Sequence, residues 1–564
     1  MSAKPSKRVL IVGGVAGGAT AAARLRRLDE FADIVLFERG PDIAFANCGL
    51  PYHIGGEIPR REDLLVQTVG AMRARFNLDI RTRHEVVAIE PAARRVTVRD
   101  LEADRQYTES YDYLLLAPGA APIRPPLPGV DLPQVCTLRN LPDTDRIKAL
   151  VDRGAGSAVV VGAGFIGLEM AENLRRRGLQ VTVVELLPQV LPPFDPEMVV
   201  PIYEQLTGQG IDVRLNQAVT AFAEQDGRLR VELRDGQSIP ADLAILAVGV
   251  RPDTDLARAA GLKLNERGAI VVDEHMRTSD LHIFAVGDAV EVRDAVLDEP
   301  TMLPLAGPAN RQARIAADNI CGRPSRFRGV QGTAIVRVFD TVAACTGASA
   351  KRLRQRGAAF DYVYVRPKSH AGYYPGAQPM TIKLLYRCDD GRVLGAQIVG
   401  GEGVDKRIDV LAVAIQAGLT ACDLEQLELA YAPQFGSAKD PLNIAGFVAA
   451  NKLRGDVRSI EADQVDEQVL AGHHVIDVRN PEELRKFGSI PGADNIPLPL
   501  LREQVGRIGK DKPLLVTCQA GQRGYYACRL LGQLGFDCTN LGGGYATYAQ
   551  ACKARELAGG GDRA

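Results

Sequence analysis

The fold class of this chain is decided by the stretch Ala158-Val159-Val160-Val161-Gly162-Ala163-Gly164-Phe165-Ile166-Gly167, which joins an apolar strand to a helix. Glycines at this G-x-G-x-x-G spacing let the backbone turn tightly and approach a pyrophosphate, which the positive end of the following helix attracts. A second apolar run, Val181-Thr182-Val183-Val184, completes a βαβ unit. The stretch therefore predicts a dinucleotide site on a parallel sheet of the Rossmann kind.

Glu185 follows that second run and indicates which nucleotide binds. A carboxylate at this place accepts hydrogen bonds from the ribose hydroxyls and repels a 2′-phosphate. The residues after it, Leu186-Leu187-Pro188, include no arginine. NADH is therefore favoured over NADPH.

Another βαβ unit opens the chain. A strand signal, Arg8-Val9-Leu10-Ile11-Val12, leads into Gly13-Gly14-Val15-Ala16-Gly17-Gly18, a helical stretch and a strand ending at Glu38. Valine at position 15 replaces the middle glycine, so the spacing alone is a weaker signal than the later one. The strand, the helix and Glu38 supply the missing context and predict a second dinucleotide site.

One further segment, taken with the two glycine motifs, indicates that this second dinucleotide is FAD. Ile283-Phe284-Ala285-Val286-Gly287-Asp288 resembles the second fingerprint of two-dinucleotide flavoproteins, whose aspartate binds the flavin ribityl chain. The alternative for Asp288 is a helix N-cap. Short strands ending at Gly119 and Gly249 are predicted to cross between the two nucleotide domains.

The composition limits the possible functions. With 564 residues the chain is long enough for three or four domains, and its formal net charge of -1 gives no global field for nucleic acid or a membrane surface. No apolar stretch approaches the length of a membrane span. Ten cysteines without paired spacing argue against a disulfide framework or a metal site and favour a reducing cytoplasm.

Cys48 is the first candidate for redox chemistry. It lies in Phe45-Ala46-Asn47-Cys48-Gly49-Leu50-Pro51-Tyr52, shortly after the first glycine loop, and the next cysteine is Cys136. A redox-active Cys48 must therefore work without a local partner. The thiolate is the nucleophile, and we expect a flavin edge and a neighbouring helix end to lower its pKa. The alternative is a buried, inert thiol.

A second isolated cysteine lies near the C-terminus, in the run Cys518-Gln519-Ala520-Gly521-Gln522-Arg523-Gly524 between a strand and a helix. Such a loop points backbone N–H groups at the thiolate and stabilises anionic sulfur, and Arg523 closes it. Phosphatase loops also pair a cysteine with an arginine, but typically with one more residue between them. With only one basic residue, the loop gives no strong indication of a small dianionic donor such as thiosulfate.

Taken together, these segments resemble the single-cysteine pyridine nucleotide-disulfide oxidoreductases. The glycine loop at Gly13, the run around Asn47 and Cys48, the Gly287-Asp288 segment and Tyr431-Ala432-Pro433 carry this resemblance. The Cys518 loop, with Asp477-Val478-Arg479 upstream, resembles a rhodanese domain. Nearest are coenzyme A-disulfide reductases fused to rhodanese, in their NADH-dependent persulfide reductase branch.

The resemblance implies an α/β architecture of four domains. Two are Rossmann-like dinucleotide-binding domains, the third is an α+β dimerisation domain, and the last is a C-terminal rhodanese-like α/β domain. The expected boundaries are 1–120 with 247–325 for FAD, 121–246 for NAD(P)H, 326–450 for dimerisation and 457–556 for rhodanese.

The resemblance also implies roles for residues outside the motifs. In the family, tyrosines of the partner subunit of a homodimer lie near the redox cysteine, and Tyr373 and Tyr431 match them. Arg24 and Arg27 lie three apart on the first helix, where the family binds the phosphates of coenzyme A. An interface tyrosine pair and a solvated basic face are the alternatives.

The implied function is reduction of persulfides, polysulfides or coenzyme A disulfides by NADH. Cys48 attacks a sulfur of the substrate and forms a mixed disulfide or persulfide, which electrons from reduced flavin then resolve. Cys518 carries sulfane sulfur. We expect Phe165, just inside the second glycine loop, to shield the flavin until the nicotinamide displaces it. Two rivals stay open: an NADH oxidase or peroxidase that uses the same single cysteine, and a non-catalytic sulfur carrier or redox sensor.

Overall fold

A computed structural model describes residues 7–559. The chain divides into two compact units, Met1–Val184 with Ala218–Val330, and Glu185–Gln217 with Gln331–Ala564. Among the described residues, no helix is long and apolar enough to cross a membrane.

In the first unit, the first glycine loop follows the central strand of a five-stranded parallel sheet. Its central strand Arg8–Val12 pairs with Asp33–Glu38 on one side and Tyr113–Leu116 on the other. Ile283–Ala285 and Asp79–Thr82 form the two edges. Parallel strands are covered on both faces, which is why these segments read as continuous apolar runs.

The second glycine loop, in the same unit, also follows a strand of a parallel sheet. Ser157–Val161 pairs with Gln180–Val184 and with Leu243–Leu246, and Val135–Thr137 lies beyond the latter. Two parallel sheets, each with a helix after its first strand, confirm the predicted pair of Rossmann-like βαβ units.

The predicted crossover segments at Gly119 and Gly249 are present, but the strands before them end three residues earlier than predicted, at Leu116 and Leu246. Each glycine has a positive φ, 74° and 110° respectively. Each glycine directly precedes one strand of a short antiparallel ribbon. The ribbon pairs Ala120–Pro122 with Val250–Pro252.

The other elements of the first unit cover these sheets. The α-helices are Ala16–Leu28, Leu50–Gly55, Val69–Phe76, Leu141–Asp152, Phe165–Arg176, Asp255–Ala259 and Ala306–Ile320. Three smaller sheets complete the unit. Two are antiparallel: one consists of His84–Glu90, Arg95–Asp100 and Arg105–Ser110, and the other of Val219–Gln225, Arg228–Leu233 and Ser238–Ala241. In the third, Val290–Asp294 pairs antiparallel with Glu299–Thr301 and parallel with Ile270–Val271.

An antiparallel sheet of five strands forms the first half of the second unit. In spatial order its strands are Ala334–Val338, Thr341–Gly347, Val393–Gly400, Met380–Arg387 and Phe360–Val365. Its helices are Ala350–Gln355, Val404–Ala417, Ala421–Glu425 and Pro441–Leu453. The segment Glu185–Gln217 adds the helix Val200–Gly208 and the strand Asp212–Arg214.

The second sheet of this unit is parallel and forms its C-terminal half. Its strands, in spatial order, are Ser459–Ile460, Cys538–Leu541, Leu514–Thr517, His474–Asp477 and Asp494–Asn495. Its α-helices are Val465–Leu470, Pro481–Phe487, Leu501–Gln504, Gln522–Gln533 and Gly544–Leu557. The predicted small α/β domain at the C-terminus is confirmed.

Candidate functional site

The first glycine loop has the shape that a pyrophosphate requires. Gly13 has φ of 94°, and a Cβ there would lie 2.2 Å from the carbonyl oxygen of Ala117. A Cβ on Gly18 would lie 1.7 Å from the carbonyl oxygen of Gly13. Glu38 accepts hydrogen bonds from the Gly14 and Gly40 N–H groups, both at 2.8 Å, and so lies beside the loop.

Arg139 belongs to the same region and was missed by the sequence reasoning. Its Nη2 donates to the carbonyl oxygen of Pro118 at 3.2 Å, while Nη1 is buried without a hydrogen-bond partner among the described residues. Burial lowers the pKa of this guanidinium, and the charges of Asp288 and Glu38 are close enough to act on it. A buried donor next to a glycine loop fits an anionic ligand, and these residues therefore fit FAD.

Asp288 lies in a turn between Ile283–Ala285 and the strand Val290–Asp294. The helix N-cap alternative is therefore wrong, because no helix begins there. Gly287 donates its N–H to Gln312 Oε1 at 2.7 Å, which fixes the turn. Burial raises the pKa of Asp288, and Arg139 opposes that shift.

The second glycine loop repeats the close packing of the first. Gly162 has φ of 104°, and a Cβ there would lie 2.4 Å from the carbonyl oxygen of Ala247. A Cβ on Gly167 would lie 2.0 Å from the carbonyl oxygen of Gly162. The helix Phe165–Arg176 begins directly after Gly164 and directs its N-terminal N–H groups at the loop.

Glu185, the residue predicted to select NADH, follows the strand Gln180–Val184 in the chain. Its side chain is buried, and Oε1 accepts a hydrogen bond from the Leu187 N–H at 2.8 Å. This bond holds the carboxylate in one place, as a ribose-binding group requires.

Cys48 lies in a short 3-10 turn, Asn47–Gly49, that leads directly into the helix Leu50–Gly55. The residue is exposed to solvent, so it is not the inert buried thiol of the alternative. Partial desolvation of the thiol raises its pKa, and the negative charges of Glu169 and Asp288 raise it further. The predicted lowering of this pKa by a flavin edge and a helix end stays a prediction, and any such effect has to act against these groups.

Glu169 is a second residue that the sequence reasoning missed. It lies on the helix Phe165–Arg176 and accepts a hydrogen bond from the Tyr52 hydroxyl at 3.2 Å. Burial raises the pKa of Glu169 to about 7. Glu169, Tyr52 and Cys48 therefore place a carboxyl, a phenol and a thiol in one region of the first unit.

Replacing Glu169 with glutamine is expected to lower the pKa of Cys48, because the variant removes a negative charge near the thiol. The pH dependence of Cys48 alkylation by iodoacetamide, followed by peptide mass analysis of the FAD-loaded enzyme, measures this. We expect the midpoint to move to lower pH, whereas the control Glu62→Gln leaves it in place. An unchanged midpoint in Glu169→Gln would show that this carboxylate does not act on the thiol.

The same variant has a stability signature with a defined sign. A raised folded-state pKa means that the native protein holds the Glu169 proton more tightly than the unfolded chain. The favourable contribution of this carboxyl is lost as pH rises from 4.5 to about 7. Glu169→Gln is therefore expected to raise the melting temperature above pH 7 and to have little effect below pH 4.5.

The structure brings together the two tyrosines that the sequence singled out. The hydroxyl oxygens of Tyr373 and Tyr431 lie 3.0 Å apart. Both side chains are exposed, as is that of Phe435 nearby in the chain. Two phenols on one exposed surface can donate hydrogen bonds to an anionic sulfur.

Arg24 and Arg27 have different neighbours. Arg24 is half-buried, and its Nε and Nη2 both lie 2.8 Å from Asp318 Oδ1. Arg27 is exposed, with its guanidinium carbon 5.8 Å from the centre of the Phe76 ring. The coenzyme A role of these two residues stays a prediction, and Arg27 is the more accessible of the two.

The C-terminal thiol loop has the predicted strand-to-helix setting. Cys518 is buried directly after the strand Leu514–Thr517, and its carbonyl oxygen accepts a hydrogen bond from the Tyr545 N–H at 2.7 Å. Arg523 donates to both carboxylate oxygens of Glu483, at 2.7 and 2.6 Å. It also lies close enough to Cys518 for their charges to interact.

The helix Gly544–Leu557 holds this loop against the rest of the second unit. Arg366, at the end of the strand Phe360–Val365, donates to Thr547 Oγ1 at 3.2 Å and to Gln550 Oε1 at 2.5 Å. The first turn of the same helix donates to the Cys518 loop. The antiparallel five-stranded sheet therefore supports the Cys518 loop through the helix Gly544–Leu557.

Two glycine loops of the nucleotide-binding kind, an exposed thiol at Cys48 and a buried thiol in a strand-to-helix loop indicate one class of enzyme: an α/β oxidoreductase of the flavoprotein disulfide reductase type. Comparison with known families agrees. Residues 7–313 match the pyridine nucleotide-disulphide oxidoreductases, residues 333–441 match the dimerisation domain of these enzymes, and residues 461–551 match the rhodanese-like domain. The chain belongs to the pyridine nucleotide-disulphide oxidoreductase family and uses FAD and a nicotinamide dinucleotide.

Three relatives illustrate the similarity. The coenzyme A disulfide reductase of Staphylococcus aureus (strain JH9) is 37% identical over 446 residues, which cover 78% of this chain and 99% of that protein. The reduced Bacillus anthracis CoADR-RHD structure is 47% identical with a TM-score of 0.95, covering 98% of this chain and 99% of that one. The NAD-dependent persulfide reductase from A. fulgidus is 36% identical with a TM-score of 0.90, covering 96% and 100%.

Proposed function

We propose that this enzyme uses NADH to reduce the sulfur–sulfur bond of persulfides, polysulfides or coenzyme A disulfides, with Cys48 as its single redox thiol. The observation that carries the proposal is the exposed Cys48, which stands without a second cysteine in its segment. Cys136, the next cysteine, is buried in the strand Val135–Thr137. A mixed disulfide with the substrate therefore takes the place of an internal disulfide.

The chemistry at Cys48 balances without a second protein thiol. The thiolate attacks R–S–S–R′, forming a Cys48–S–S–R bond and releasing R′–S⁻. FAD, when bound, supplies the electron pair that originates in NADH. Cys48 then returns to the thiolate and R–SH leaves, so that NADH, H⁺ and one disulfide give NAD⁺ and two thiols. With a persulfide the products are one thiol and hydrogen sulfide.

Protein groups hold the reactants in this scheme. The backbone at Gly13 and Gly18 and the buried Arg139 are suited to the pyrophosphate of FAD. Asp288 is suited to the ribityl chain. Burial raises the pKa of Glu169 to about 7, so this carboxyl can hold or release a proton near neutral pH, and Tyr52 and Glu169 form a local proton reservoir.

The nicotinamide donor is NADH in this proposal. The buried carboxylate of Glu185 is held by the Leu187 N–H and would repel the 2′-phosphate of NADPH. Phe165 and Ile166 begin the helix after the glycine loop, where a nicotinamide would approach.

The active enzyme is a homodimer in this proposal. A dimerisation domain is present, and Tyr373 and Tyr431 expose paired hydroxyl groups on it. In the partner's site these phenols would donate hydrogen bonds to the leaving thiolate. Arg27 is suited to the phosphates of coenzyme A, and the free thiols favour the cytoplasm.

A panel of substrates tests the proposal. The full-length FAD enzyme is given NADH under anaerobic conditions with a thiol persulfide, a polysulfide or coenzyme A disulfide, and separately with oxygen or peroxide. We expect the sulfur substrates to be turned over at least about 100-fold more efficiently than oxygen or peroxide, and NADH to be used at least about tenfold better than NADPH. Dominant oxygen or peroxide turnover would instead support the oxidase or peroxidase.

A further inference from the structure

The charge of the Cys518 loop is almost fully compensated by the protein. Arg523 is the loop's one cation, and Glu483 holds it through two hydrogen bonds of 2.7 and 2.6 Å. Arg523 lowers the pKa of Glu483, so this carboxylate is ionised at neutral pH. The ion pair therefore brings no net positive charge to the thiol.

A second guanidinium near the loop, that of Arg479, is also paired with a carboxylate. Arg479 is fully buried, donates to both oxygens of Asp477, and donates from Nη1 to Gln519 Oε1 at 2.9 Å. Its charge is thus balanced by Asp477 before any ligand arrives. A dianion that approached the Cys518 thiolate would meet two neutralised arginines.

We propose that Glu483 is a specificity-determining residue, which restricts the Cys518 site to persulfides of thiols and excludes the thiosulfate dianion. This inference rests on the proposed sulfur-handling role of Cys518. Thiosulfate brings two negative charges to a thiolate, whereas a thiol persulfide brings at most one at its reacting sulfurs. Without a net positive loop, like-charge repulsion penalises thiosulfate more strongly.

The transfer step is balanced for either donor. The Cys518 thiolate attacks the outer sulfur of R–S–SH, a Cys518 Sγ–S bond forms, and the S–S bond of the donor breaks with release of R–S⁻. With thiosulfate the same attack releases sulfite. No external oxidant or reductant enters, because the sulfane sulfur only changes its partner.

The test compares donors in three forms of the full-length FAD enzyme: wild type, Glu483→Gln and the control Glu482→Gln. Glutamine keeps an oxygen that can accept the Asn480 N–H, as Glu483 now does at 3.0 Å, but removes the charge. Glu482 lies on the same helix and pairs with the exposed Arg485, so its variant makes the same change in net charge elsewhere. Thiocyanate formation from cyanide gives kcat/KM for thiosulfate and for cysteine persulfide.

We expect Glu483→Gln to raise the thiosulfate-to-persulfide ratio of kcat/KM at least about tenfold, and to make the thiosulfate rate fall more steeply with salt. Glu482→Gln should change neither. An unchanged ratio in Glu483→Gln, with persulfide use intact, would overturn the inference and leave the proposed function standing. If wild type transfers sulfur from neither donor, the proposed role of Cys518 itself fails.

A shorter acid keeps the test decisive if the glutamine variant does not fold. Glu483→Asp retains the charge but withdraws it from Arg523 by one methylene, which breaks the two-bond geometry. We expect a smaller rise of the same ratio. A ratio equal to that of wild type in a folded Glu483→Asp enzyme would contradict the role given to this ion pair.

Discussion

Replacing Cys48 with serine is expected to lower NADH-dependent release of sulfide from persulfides by about 10³-fold or more. A serine hydroxyl is not ionised at neutral pH and forms no persulfide or mixed disulfide. Bound FAD should be retained, because Cys48 lies outside both glycine loops. Sulfide release and NADH oxidation under anaerobic conditions measure the effect, and the visible spectrum reports FAD content.

Cys388→Ser is the matched control, because Cys388 is also exposed but lies after the strand Met380–Arg387 of the second unit. We expect this variant to keep wild-type activity within about twofold. Sulfide release that persisted in Cys48→Ser would remove the thiol from the reaction. Loss of this release would exclude the alternative of a non-catalytic sulfur carrier or redox sensor with a structural flavin.

Replacing Cys518 with serine is expected to abolish sulfur transfer from a thiol persulfide to cyanide, again by about 10³-fold. The loop should survive, because the Tyr545 N–H bonds to the backbone oxygen at position 518 and not to the thiol. NADH-dependent reduction of small persulfides should change by no more than about threefold, because Cys48 attacks these directly. Thiocyanate formation and NADH oxidation are measured on the same preparation.

Cys552→Ser provides the control for this second variant. Cys552 lies on the helix Gly544–Leu557, outside the thiol loop, and interacts with Arg555. It should keep both activities. If Cys518→Ser lost both activities while its melting temperature stayed at the wild-type value, the two thiols would be obligatory partners in one reaction, contrary to the division of labour proposed above.

The nucleotide loops could be predicted because their constraints are local. Glycine at positions 13, 18, 162 and 167 is required by backbone contacts within a few residues or with the adjoining strand, and the spacing records this directly. The Cys518 loop is similarly local, since strand, loop and helix follow one another. The strand ends before Gly119 and Gly249 were placed too late because the apolar run continues past the last ladder pair.

The residues that sequence reasoning missed act across long separations. Glu169 lies near Cys48 but belongs to the helix that begins at the second glycine loop. Arg139 lies beside the first glycine loop but comes after Val135–Thr137, a strand of the other nucleotide-binding sheet. No local pattern marks either one. The upward effect of Glu169 and Asp288 on the Cys48 pKa was missed for the same reason, because it depends on charges that only the folded chain brings near.

Glu483 has two roles, of which the sequence pattern indicates only one. Its sequence context, Asn480-Pro481-Glu482-Glu483, is typical of a capping box at a helix start, and the structure contains that box. The bond to Arg523, forty positions later in the chain, has no counterpart in that pattern. Charge compensation of the loop could be found only from the fold.

The identity of the species on Cys48 during turnover tests the central claim most directly. The Cys518→Ser enzyme, with Cys48 as the free thiol and FAD oxidised, is mixed anaerobically with a thiol persulfide or coenzyme A disulfide in the absence of NADH. The mixture is then alkylated with iodoacetamide and digested for peptide mass analysis. We predict that the Cys48 peptide holds a persulfide or a mixed disulfide with the substrate thiol, and that excess NADH removes this adduct. A Cys48 that stays a free thiol with these substrates, or that becomes a sulfenic acid only with oxygen or peroxide, would contradict the account.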